Sequence, residues 1–314
     1  MYHPYFRGKQ YELITVREMA PVMKAANFRP IIEPVKEGLN GLHKSLKAMA
    51  DIKGEAVVVV NPYYGDHVED GTAIKELLNE EFQELPTIAA GILLKPDMTA
   101  AQAWKLYEDY EDHSPVFIHA GFPDVQGLSQ KLGKPTKKHC HIFFARTCGK
   151  LYQNVFKGAH RVLLKDGFER KRNADYKPIE PFSDLHVIFE DEGMDGFGDF
   201  LIVGDDFSET GGPAYAVAIH LTFIDPDKFN EMLIYHFVSD TQDTPKDPAG
   251  KFAEALAKMM KALNKPNSKI LETSAVKEYR ALFKEGHFPG LGYIKKLSMN
   301  HHIETLANYF KVKA

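Results

Sequence analysis

The chain has 314 residues, of which 44% are hydrophobic and 26% charged. That length and apolar content suit one large parallel barrel with an extension, or two modest domains, each with a sizeable core. A net charge of −4 provides no basic field for a nucleic-acid backbone, so nucleic acid is not the expected partner.

The alternation of short apolar runs and amphipathic stretches begins at once. Residues 2–6 predict a first strand, and helical spacing through Leu13, Val16, Met19 and Met23 predicts a helix over 11–26. Residues 29–35 predict a second strand, and 42–52 its helix. Four consecutive valines at 57–60 mark a strand buried on both faces, here placed at 55–60. The same rhythm continues with a helix at 73–82, a strand at 87–94 and a helix at 99–110 with Thr99 as its N-cap. Further strands are expected at 116–119, 139–145 and 161–164, with short helices at 124–132 and 151–155. A helix at 183–192 and an eighth strand at 199–203 complete the pattern.

Eight strands at spacings near 25 residues predict an α/β fold, a (β/α)8 TIM-like barrel over residues 1–210. No G-x-G-x-x-G follows the first strand, which weighs against an open dinucleotide-binding sheet. The rhythm then breaks. Two β runs, 215–224 and 232–238, predict a hairpin across the Asp225-Pro-Asp227 turn. Helices follow at 249–263, 275–283 and 302–309, so residues 211–314 form an appendage of a hairpin and helices packed on the barrel.

Parallel barrels place their active sites at the C-terminal ends of their strands. Those ends carry Arg7 and Lys9, Glu33 and Lys36, Asn61, Lys95, His119, Arg146, Lys165 with Asp166, and Asp205 with Asp206. Cations outnumber acids around this ring, and buried cations need an anionic partner, so a phosphate-like or carboxylate ligand would complete the balance. Glu33 interrupts an apolar strand, which is costly unless it pairs with Arg7 or Lys36. Lys95 and Lys165 occupy matching positions, where a desolvated lysine can form a Schiff base with a carbonyl substrate. Arg170, Lys171 and Arg172 suit a phosphate clamp oriented by Asp175 and Tyr176. Asp205 and Asp206, with Glu33, are the residues expected to bind a divalent metal if one is used. Gly211 and Gly212 allow either a close backbone approach or a turn. His139 and His141 share a strand face, and the other histidines show no cluster.

Cys140 and Cys148 read as reduced thiols. The N-terminal segment lacks the apolar stretch of a signal peptide, and no segment approaches the ~18 apolar residues of a membrane span. A cytoplasmic protein without membrane attachment is expected. No G-x-S-x-G elbow, P-loop or H-E-x-x-H is present, which removes the commonest hydrolase, NTPase and zincin assignments.

The segments Tyr-His-Pro-Tyr-Phe-Arg-Gly-Lys-Gln-Tyr-Glu-Leu (2–13) and Gly-Asp-Phe-Leu-Ile-Val-Gly-Asp-Asp-Phe-Ser-Glu-Thr-Gly-Gly-Pro-Ala-Tyr-Ala-Val-Ala-Ile-His-Leu (198–221) resemble a bacterial family similar in layout to the phage "beta protein" family. The resemblance covers nearly the whole chain. It implies a barrel in a bacterial cytosolic, phage-related setting, and it carries over no catalytic residue. The expected function is that of an enzyme binding a phosphate- or nucleotide-like anion. In it Glu33, Asp205 or Asp206 is the base or metal ligand and His119 the proton donor. The alternative is a non-catalytic scaffold of a phage-related or defence two-gene system, with a protein partner on the 215–238 hairpin.

Overall fold

A computed structural model describes residues 1–209 and 212–313, the side chain of Lys313 excepted. The chain forms two units, residues 1–165 with 188–199, and residues 166–187 with 200–314. The sequence had suggested a single boundary at residue 210.

The first unit is the barrel. Its strands are β1 (Tyr5–Phe6), β2 (Ile31–Ile32), β3 (Ala56–Val59), β4 (Ile88–Leu94), β5 (Val116–His119), β6 (Cys140–Phe144) and β7 (His160–Leu164). The next strand in the chain, β8 (Ile179–Ser183), belongs to the second unit, and β9 (Gly196–Gly198) is the eighth barrel strand. All eight pair in parallel in chain order. Backbone hydrogen bonds from His3 N to Phe197 O (2.8 Å), Phe197 N to Met1 O (2.9 Å) and Tyr5 N to Asp199 O (2.9 Å) join β9 to β1 and close the ring.

Helices α1 (Gln10–Ala25), α2 (Asn40–Asp51), α3 (Thr72–Glu81), α4 (Ala100–Asp109), α5 (Val125–Leu132) and α6 (Lys150–Asn154) follow the first six strands. β2 is shorter than expected because Pro30 and Pro34 flank it and neither can donate to a ladder. The eighth strand also differs from expectation. It is Gly-Phe-Gly at 196–198, and 201–203 form a turn with Leu201 at φ +51°. Glycine is needed because a Cβ on Gly198 would stand 2.2 Å from the His3 carbonyl oxygen. The close approach that closes the barrel therefore erases the β-branched pattern by which strands are recognised.

In the second unit, β8 pairs antiparallel with β11 (Glu231–Val238), which pairs with β10 (Ala218–Asp225). The expected helix over 183–192 is instead the end of β8 followed by the short α7 (Leu185–Ile188). The hairpin is present, and its connection carries Phe229 and Asn230 at positive φ. Its core joins Ile219, Leu221, Phe223 and Leu233 to Phe252, Leu256 and Met259 of α8 (Pro248–Leu263) and Val276 and Tyr279 of α9 (Ser274–Glu285). The last helix, α10 (Leu291–Lys313), starts well before its expected position. Its histidines are buried against polar partners, His302 Nδ1 lying 3.0 Å from Thr222 Oγ1 and His301 Nδ1 lying 2.9 Å from Thr273 Oγ1, so no simple apolar stripe marks it. Among the described residues no helix is long and apolar enough to cross a membrane.

Candidate functional site

Strand alternation decides what the barrel ends present. On β1 and just beyond it, Tyr5 and Arg7 are two residues apart and share a face. Glu33, one residue past β2, receives them both. The Tyr5 hydroxyl donates to Glu33 Oε2 at 2.9 Å, the Arg7 guanidinium donates to the same oxygen, and the Tyr63 backbone N–H donates to Oε1 at 2.6 Å. Glu33 is wholly buried and Arg7 is 5% exposed. The guanidinium lies 5.2 Å from the Tyr5 ring centroid and 4.9 Å from that of Tyr64. Gly8, at φ +61°, lets the chain after β1 come against β2, for a Cβ there would meet the Glu33 carbonyl at 2.6 Å. The result is a guanidinium held at a strand end by a carboxylate and two tyrosine rings, the carboxylate in turn held by a loop backbone.

The other strand-end cations stand at the same end of the barrel with fewer constraints. Lys95 follows β4, is half-buried, donates to the Pro62 carbonyl at 2.8 Å, and lies 5.8 Å from the Tyr63 ring centroid. Burial lowers its pKa, against the opposing pull of Asp97, Glu33 and Glu69. Lys9 is half-buried, and Lys36, Arg146 and Lys165 are exposed. Asn61 is committed elsewhere. Its Nδ2 donates to Leu93 O and its Oδ1 accepts from Leu93 N, both at 2.8 Å, so it continues the β3–β4 ladder with a side chain.

His119 corrects the expectation of a proton donor at this mouth. On β5 and β6 the inner positions are Val116, Ile118, Ile142 and Phe144, the last meeting Tyr5 across the interior at 5.7 Å. His119 is on the outer face, fully buried against Phe143 and Phe156. Its Nδ1 lies 2.9 Å from the Tyr152 hydroxyl and its Nε2 2.9 Å from His141 Nδ1. Burial holds its pKa well below the usual imidazole range, with His141 adding to the effect. It stiffens the layer between sheet and helices and does not reach the mouth.

The remaining expected site residues lie in the second unit. Asp166 Oδ1 accepts from Phe168 N at 2.9 Å and Oδ2 from Asp205 N at 2.7 Å, so it tethers one loop to another. Asp206 offers its carbonyl oxygen to Arg170 at 3.3 Å. Arg172 is paired with Asp175 through bonds of 2.8 and 3.2 Å on an exposed turn, which leaves the expected three-cation clamp without its third member. Tyr176 accepts from the Lys171 backbone N–H at 3.0 Å. Gly211 lies outside the described residues. Among the described residues no three His, Cys, Asp or Glu side chains form a group able to hold a metal ion. Glu33 in particular has its two oxygens taken up by three donors, which removes it from the expected carboxylate metal set. The residues missed at the mouth are the tyrosines Tyr5, Tyr63 and Tyr64. Tyr5 was recoverable from its i−2 relation to Arg7, whereas Tyr63 and Tyr64 lie in a loop whose path no periodicity predicts.

No family model matches the chain, and no curated protein matches it in sequence.

Proposed function

We propose that the barrel unit is an enzyme that binds a small phosphate- or nucleotide-like anion at the C-terminal mouth of its strands. The observation carrying this reading is the set of strand-end cations Arg7, Lys9, Lys36, Lys95, Arg146 and Lys165, with two buried carboxylates beside Arg7, Glu33 on its guanidinium and Glu12 on its backbone N–H. Glu33 neutralises and orients Arg7, so it serves as a positioning residue for the guanidinium and not as a general base. Lys95 is the group best suited to exchange a proton with a bound ligand, because desolvation moves its pKa toward neutrality. The same property favours Lys95 over the exposed Lys165 as the Schiff-base lysine, should the ligand carry a carbonyl.

The test is calorimetric titration with inorganic phosphate, pyrophosphate and ADP at low and near-physiological salt. Binding that weakens with salt and falls about 10- to 100-fold in Lys95→Met is expected, since a charge-assisted hydrogen bond contributes about 1.5–3 kcal/mol. Absence of binding by all three probes, together with a stoichiometric protein partner on purification from the native host, would replace this reading by the scaffold of a phage-related two-gene system.

A further inference from the structure

We propose that His220 and His236, in the second unit, form a two-imidazole site for a borderline transition-metal ion of the zinc class, its remaining positions taken by water. The two residues sit directly opposite each other on β10 and β11, a placement that brings Cβ atoms within about 5.5 Å. Their Nδ1 atoms face one another at 2.7 Å. Nitrogens this close share one proton, which a metal ion would displace. Tetrahedral coordination at Zn–N distances of about 2.0–2.1 Å sets two ligand nitrogens roughly 3.3 Å apart, so small rotations of the two side chains admit the ion.

The surroundings are those of a ligand pair and not of a casual contact. Glu180 on β8 brings Oε2 to 3.3 Å from His236 Nε2, the nitrogen remote from His220. A carboxylate there keeps the proton on Nε2 and leaves the Nδ1 lone pair for the metal, the usual support of a metal-binding histidine. Lys171 fixes the carboxylate by donating to Glu180 Oε1 at 2.8 Å. The rings are held in orientation by aromatic neighbours: Tyr176 stacks on His236 with centroids 4.3 Å apart at 13°, and Phe168 meets His220 edge-on at 5.1 Å. His220 is half-buried as a residue. The other close imidazole pair, His119 and His141, lacks these features. It is sealed among aromatic rings, and the Tyr152 hydroxyl occupies the far nitrogen of His119.

Imidazole nitrogen suits zinc, nickel and copper, whereas magnesium and calcium demand oxygen ligands. Titration of zinc chloride into the metal-free full chain, followed by calorimetry, is expected to show one site that magnesium does not compete for. His220→Gln and His236→Gln should each lower its affinity by at least 100-fold. Glu180→Gln, which keeps both ligands, should lower it about 10- to 100-fold, and substitution of the exposed His287 by Gln should leave it unchanged. Circular dichroism of the metal-free variants checks that they fold. Zinc binding that is absent in the wild type, or that survives both histidine substitutions, overturns the site. If a histidine variant does not fold, unchanged affinity in Glu180→Gln overturns it.

Discussion

Glu33 shows how a single residue links sequence to site. A carboxylate in an apolar strand required a partner, and both Arg7 and Lys36 met that requirement on paper. The structure selects Arg7, because strand alternation aims it at Glu33, while Lys36 is exposed and engages only its backbone carbonyl, which accepts from His67 at 3.0 Å. Removing one partner of a buried pair strands the other, so Glu33→Ala is expected to cost about 3–5 kcal/mol of stability, measured by urea denaturation. The double variant Arg7→Met/Glu33→Leu should recover most of that loss while still failing to bind phosphate. If the double variant is as unstable as Glu33→Ala, the tyrosine and backbone contacts, and not the ion pair, hold this end of the barrel. Both cysteines are buried, and burial raises the Cys140 thiol to about 11 and moves Cys148 in the same direction. Thiol reagents should therefore label neither until denaturant is added, and rapid labelling of the native protein would show that β6 and the loop after it open readily.

At the scale of elements, legibility followed local chemistry. Thr99 announced the start of α4, and the structure shows a full capping box: Thr99 Oγ1 accepts from Gln102 N at 3.3 Å and Gln102 Oε1 accepts from Thr99 N at 2.8 Å. Thr99→Ala should cost about 1 kcal/mol, read as a lowered urea midpoint with an unchanged slope. β9 was missed for the opposite reason. Its signal is the absence of side chains where the backbone of residues 1–3 comes close, and Gly-Phe-Gly carries almost no strand propensity. β8 was missed because it is an edge strand interrupted by Pro181 and recognisable only beside β11, its partner from about fifty residues later in the chain. His220 and His236 are equidistant from the middle of a hairpin whose two strands were anticipated. Their pairing was recoverable from register alone, yet sixteen residues of separation hid it from a search for short metal motifs.

For the barrel as a whole, the buried imidazoles set the response to acid. His119 and His3 are pushed well below the usual range and His141 to about 3, burial being the largest cause in each. A folded-state value below the unfolded ~6.5 means that the unfolded chain takes up protons first. Stability is then complete above pH 6.5 and declines as pH falls through that value. Urea unfolding followed through Trp104, the single tryptophan, should show a loss approaching about 1.4 kcal/mol per pH unit for each imidazole kept neutral. A flat profile between pH 6.5 and 5 would mean that these rings exchange with water in the native state.

The sequence by itself determined the alternation of strands and helices, the parallel barrel they build, the hairpin and helices beyond it, and which residues stand near the ends of the first seven strands. These depend on periodicity and local propensity, which neighbouring residues carry. Only the tertiary structure decided which face a strand-end residue takes, which acid meets which base, and where the second unit begins. A period of two states that alternate side chains diverge, but the strand laid alongside determines which of them points inward, and so His119 left the mouth and Tyr5 entered it. Residues 166–187 read as the barrel's last loop and helix until β11 was present to pair with β8, because a strand's identity rests on the hydrogen bonds that another part of the chain supplies.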